Sequence, residues 1–205
     1  AAYPDLRRRF IALLDTLARN QARWHQLAPL SPDEVACLVT GRAPHEATAW
    51  SPVVAERSGG NPFLAAELIR HLEAGGDPTA VPRSVEATIA AEAGRLGSDA
   101  DALVRVVAVA GTPHPTEALI DAADLDPATA SAAIAALVGA GLVQTDGDRT
   151  MLWPSHDLVR GAVAGMVDAH LARRIHRALA ESLAAWGPDV DHDRFRHLLV
   201  AATGT

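Results

Sequence analysis

Helix-start and helix-stop signals recur along this chain at spacings that leave room for short helices and little else. Ser31 precedes Pro32, and Glu34 follows three residues after the serine, the pattern of a capping box with proline in the first helical position. The spacing predicts a helix over SPDEVACLVTG that stops at Gly41, with Cys37 packed on its apolar face. Asn61 stands before Pro62 and opens FLAAELIRHLEAG, which runs to Gly75. Between these two, WSPVVAERSGG reads as a helix with Gly59 or Gly60 as its C-cap. Asp126 caps DPATASAAIAALVGAG, ended by Gly139 and Gly141. Composition agrees: 49% of residues are hydrophobic, many of them alanine, and only 4% are aromatic. Alanine and leucine together favour helix, so a mainly α protein is expected.

Residues 5 to 19 place Leu6, Phe10, Leu13, Leu14 and Leu17 on one helical stripe, and RWHQLAPL alternates as a short strand ending at Pro29. GGDPTAVPRS is the clearest linker. After it come SVEATIAAEAGRL, DADALVRVVAVAG ending at Gly111, PTEALIDAADL and the helix capped by Asp126. GLVQTDG and DRTMLWP are β-prone runs joined by Asp146 and Gly147, a type I′ hairpin signal. Helices followed by a two-stranded wing outline a winged helix. SHDLVRGAVAGM and DAHLARRIHRALAESLAAW are further helices, and DRFRHLLVAATG begins another.

Several function classes are disfavoured. Lysine is absent and all 18 basic residues are arginine, so no Walker A lysine and no Schiff-base lysine exist here. The net charge of -7 opposes binding along nucleic acid or anionic lipid. The helix before the wing has no basic residue, Asn or Gln to read base edges, and the wing adds only Arg149 beside Asp146 and Asp148. No direct DNA contact is expected. A single cysteine excludes an internal disulfide, no stretch reaches the length of a membrane span, and the N-terminal residues do not read as a signal peptide. A cytoplasmic location follows as the expectation. His170 and His176 are six apart, and His192 and His197 five apart, off one helical stripe in each case, with no HExxH, so no zinc site is expected. Ser155, His156 and Asp157 are triad types, but adjacency cannot build a triad in space. The chain is not expected to be an enzyme by itself.

Two places invite a binding role. SGGNPF, residues 58 to 63, has the glycines of a phosphate cradle or of a plain helix-opening turn. In SHDLVR, Ser155 reads as an N-cap, which puts His156 in the first turn of a helix with Arg160 on the same face. That is a setting for an anion or for a structural histidine.

In order, APLSPDEVACLV, RSGGNPFLAAELIRHL, VPRSVEATIAAEAGRL, the wing, SHDLVRGAV and HLARRIHRALAESL resemble the middle of the large ATP-binding LuxR-family regulators. These are bacterial signal-transduction ATPases of the STAND class within the AAA+ group, and the resemblance covers nearly the whole chain. It implies a remnant of the nucleotide-binding core over 1 to 28, a helical lid over 29 to 80, a winged helix over 81 to 165, and a helical linker with the start of helical repeats over 166 to 205. It further implies that Gly60, Asn61 and Pro62 match the lid's G-x-P motif, whose proline packs on adenine. His156 then matches the winged-helix histidine that reaches the β-phosphate of ADP, although WPS replaces the usual preceding pattern. ATP or ADP would be bound in the intact protein and not by this segment alone. Its partners would be the nucleotide core and helical-repeat sensor of the same polypeptide, with self-association possible, and no membrane. Neither end is composed like a tail, as expected of a segment from a longer protein. The alternative reading is a helical adaptor of another STAND signalling protein, of kinase or cyclase type.

Overall fold

The computed structural model describes residues 28–186 and 190–203. The expected N-terminal helix and residues 23–27 of the RWHQLAPL strand lie outside the described residues. Among the described residues the protein is mainly helical, with a small three-stranded antiparallel sheet. None of these helices is long and apolar enough to cross a membrane.

Three helices form the first layer: α1 (Pro32–Arg42), α2 (Ala47–Ser58) and α3 (Pro62–Glu73). The Ser31 capping box forms as read, with the serine hydroxyl accepting from the Glu34 amide and the Glu34 carboxylate accepting from the Ser31 amide at 2.8 Å. α1 runs past Gly41 to Arg42, with Ala43 as its C-cap. Its buried residues are Val35 and Val39, four apart on one face. Cys37, two residues from each, points the other way and is exposed, which corrects its assignment to the apolar face. α3 buries Leu64, Ala65, Leu68, Ile69 and Leu72, together with the carboxylate of Glu67. That carboxylate is paired with Arg70 at 2.8 Å and accepts from the Ser84 hydroxyl across the linker, so its buried charge is not left alone.

The second half is built on α5 (Ser98–Ala110), which follows α4 (Arg83–Arg95). Then come β1 (His114–Pro115), α6 (Thr116–Ala122), α7 (Pro127–Gly139), β2 (Val143–Thr145), β3 (Met151–Pro154), α8 (Asp157–Gly165), α9 (Ala169–Leu183) and α10 (Asp191–Thr203). The strand order is β1-β3-β2, with His114 opposite Leu152 and Gln144 opposite Trp153. The expected two-stranded wing therefore gains a third, edge strand, and that edge tolerates Pro115. The hairpin also differs from a two-residue type I′ turn. The Asp146 carboxylate accepts from the Met151 amide at 2.9 Å and from the Thr150 hydroxyl, closing a longer loop in which Arg149 takes φ 58°.

α4, α6, α7, α8, α9 and β3 all pack on α5, whose Leu103, Val104, Val106 and Val107 are buried. The buried side chains of both halves join in one cluster from Val35 to Leu179. Leu68 is fully buried in it, so Leu68→Ala should cost about 2–5 kcal/mol in urea unfolding. The Asp126 carboxylate accepts from the amides of Ala128 and Thr129. Asp126→Ala should cost only about 1 kcal/mol by the same measurement.

Candidate functional site

The SGGNPF turn is closed upon itself. Gly59 ends α2 with φ 55° and Gly60 follows with φ 77°, conformations that favour glycine. The Gly60 amide donates to the buried Ser58 hydroxyl at 3.3 Å, and the Asn61 amide donates to the Ser58 carbonyl at 3.0 Å. The Gly60 carbonyl accepts from the Leu30 amide at 2.8 Å, and a Cβ at Gly60 would overlap the Leu30 carbonyl. Asn61 then caps α3, its side-chain oxygen accepting from the amides of Phe63 at 3.0 Å and Leu64 at 3.3 Å. Pro62 has no amide proton. Every backbone donor of the turn is used, so nothing is left to cradle a phosphate. What the turn does present is apolar surface: Pro62 is exposed and Phe63 is 46% exposed.

His156 lies directly against this turn. A Cβ on Gly59 would overlap Nδ1 and Cε1 of its ring, so only glycine allows the approach. Two of the places singled out in the sequence, almost a hundred residues apart, are thus brought into contact. His156 itself is the N-cap of α8, with extended backbone, which corrects the reading of Ser155 as the cap. The reason is a competing acceptor: the Ser155 hydroxyl donates to the Gly141 carbonyl at 2.6 Å and is drawn away from the helix. The His156 side chain caps nothing, and among the described residues the amides of Asp157, Leu158 and Val159 have no acceptor. Unlike α3, α8 begins with open donors.

Charge is arranged around that helix start. Asp157 pairs with Arg160 at 2.7 Å and with Arg57 at 3.5 Å. Arg160 is thus engaged by Asp157 and not by His156. Burial raises the Asp157 carboxyl, but Arg160 and Arg57 outweigh it and hold the group below its usual range. Burial pushes the half-buried His156 ring below the ordinary histidine value, so it is neutral near pH 7. Arg57 also donates to the carbonyls of Pro78 and of Ala80, the latter at 2.8 Å. One side chain therefore ties the end of α2 to the linker and to α8. His156 also borders an open depression of about 370 Å³ with Ser155, Gly141 and Val143.

The structure also groups residues that sequence spacing missed. His114 on β1, His176 on α9 and His197 on α10 stand in a row, with His197 between the other two. Pairwise spacing within single helices could not find them, because each comes from a different element. Among the described residues no cluster of His, Cys, Asp and Glu is arranged to hold a metal ion.

Gly59→Ala should cost about 2–4 kcal/mol, combining the left-handed backbone with displacement of the His156 ring. In a His156→Ala background the same change should cost only about 1 kcal/mol, the backbone part alone. Equal costs in the two backgrounds, measured by urea unfolding, would show that the ring contact carries no energy. Compared with known proteins, the chain matches no protein-family model, no curated protein and no solved structure.

Proposed function

We propose that this chain is the regulatory middle segment of an ATP-dependent LuxR-type transcriptional regulator of the STAND class. Residues 29 to 80 act as the helical lid, 81 to 165 as the winged helix, and 166 to 205 as the link to helical repeats. The observation that carries this reading is the seating of the Gly59 turn against His156. A lid motif and a winged-helix histidine must lie together if both are to meet one nucleotide, and the contact of the Gly59 turn with His156 supports that reading. The order α5, β1, α6, α7, β2, β3 is also the helix and strand order of a winged helix.

The residues present fit such a ligand in kind. Pro62 and Phe63 present an exposed apolar surface for adenine, and the proline ring lacks the N–H a phosphate would seek. His156 and the open amides at the start of α8 supply donors for a diphosphate, with Arg57 and Arg160 adding positive charge nearby. The nucleotide itself supplies the phosphate whose hydrolysis state is read, and the catalytic groups for that chemistry belong to another part of the polypeptide. What these residues do is hold a closed arrangement of lid and winged helix when ADP is present and let it open otherwise, a two-state equilibrium biased by the ligand. The absence of Lys, Arg, Asn and Gln from α7 supports a coupling role over DNA reading.

In the intact regulator, Pro62→Ala should weaken ADP binding roughly tenfold, about 1.4 kcal/mol, in calorimetry. His156→Ala should raise basal transcription from a reporter promoter, because the closed state loses a phosphate contact. Unchanged ADP affinity together with unchanged basal output would overturn the assignment. The isolated chain should show no calorimetric ATP binding at modest concentration, and tight binding there would contradict a lid that needs its core.

A further inference from the structure

His197 is fully buried and His114 is 1% exposed, while His176 is half-buried. The His114 Nε2 and His197 Nε2 atoms are 3.1 Å apart, and His197 Nδ1 is 2.7 Å from His176 Nδ1. The direction of this chain is set at one end. His114 Nδ1 lies 2.9 Å from the Thr112 carbonyl, which can only accept, and 3.4 Å from the Thr112 hydroxyl, so a neutral His114 carries its proton on Nδ1 and accepts at Nε2. His197 then donates from Nε2. When His197 is neutral, its Nδ1 accepts from the Nδ1–H of His176. One added proton fits this geometry anywhere along the row, because each N···N contact still joins one donor to one acceptor. A second does not fit, because two N–H groups would then face each other at hydrogen-bond distance.

The row joins three elements. β1 contributes His114, α9 contributes His176, and α10 contributes His197 and the neighbouring Arg196. Arg196 reaches the Ala110 carbonyl at 3.0 Å and pairs with Asp193 at 3.5 Å. Among the described residues no carboxylate bonds to any of the three rings, so no acidic group relieves added charge.

We propose that His114, His197 and His176 form a proton-sensing latch, which seats α10 on the sheet-bearing half while the rings share at most one proton and releases it when a second arrives. This does not depend on the nucleotide reading. Burial first, then His114, His176 and Arg196, push His197 down to about 3, and burial followed by Arg196 lowers His176. Folded values lie below the free value of about 6.5, so the stabilisation is complete above that pH and is lost as the pH falls toward 3.

The test is amide hydrogen exchange on the whole chain from pH 7.5 to 5, with α5 amides as the internal reference for α10. Released rings take up at least two more protons than seated ones. The α10 opening constant should therefore rise at least about 100-fold between pH 6.5 and 5. His176→Leu should reduce that rise to about tenfold. Nitrogen NMR of the unaltered chain at pH 7.5 gives a readout that needs no variant: His114 and His176 should be protonated on Nδ1 and His197 on Nε2. A flat exchange profile, an undiminished rise in His176→Leu, or the Nε2–H form in all three rings would overturn the latch. So would a rise in α10 protection on adding zinc with all three rings shifted, since the nitrogens would then converge on a metal.

Discussion

Burial of α5 on nearly all sides is the constraint on which the rest of the described structure depends. A helix with Leu103, Val104, Val106, Val107, Ala108 and Ala110 in the core has no wet face to spare, so other elements must cover it. Four helices beside α4, together with the strand β3, supply that cover. Each of its larger apolar side chains contributes on the order of 1.5–3 kcal/mol when buried. The small sheet exists for the same reason. Leu152 on β3 is fully buried, and pairing β3 with β1 and β2 satisfies backbone that would otherwise face the core unbonded.

Against that half, the three-helix layer joins the common buried cluster and is oriented by a few specific contacts. Arg57 bonds to linker carbonyls and to Asp157, Glu67 accepts from Ser84, and Gly59 admits the His156 ring. The first is polar and partly exposed, and such contacts contribute modestly while fixing geometry; the second satisfies a buried carboxylate that would be costly to leave unpaired. The third is steric: it places a neutral imidazole beside an uncapped helix start. On the proposed reading, this is the seam at which nucleotide state would alter how the layers meet.

The turn at 58 to 63 shows how composition alone can mislead about chemistry. Two glycines before a helix suggest an anion site, but Ser58 and Asn61 consume the available amides. The open amides occur at α8 instead, where the Ser155 hydroxyl is diverted to Gly141 and no side chain caps the helix. Which helix start is free is therefore decided by competition among local acceptors. Glycine at 59 is required for a different reason, the approach of a ring from far along the chain.

What the sequence determined by itself was local. Ser31, Asn61 and Asp126 cap their helices, and Gly59 and Gly111 end theirs, because such bonds span only a few residues and need no tertiary partner. The helical class and the β-prone runs were legible on the same grounds. Tertiary packing decided which face of α1 is buried, leaving Cys37 in water, since a single cysteine among apolar residues does not say where the neighbouring helices lie. It also turned the hairpin into a longer loop bound by Asp146 and recruited β1 as its third strand. The His114, His197 and His176 row was illegible, because its members are 83 and 21 residues apart on separate elements. Periodicity reports neighbours along one helix, whereas this row exists only where a strand and two helices converge.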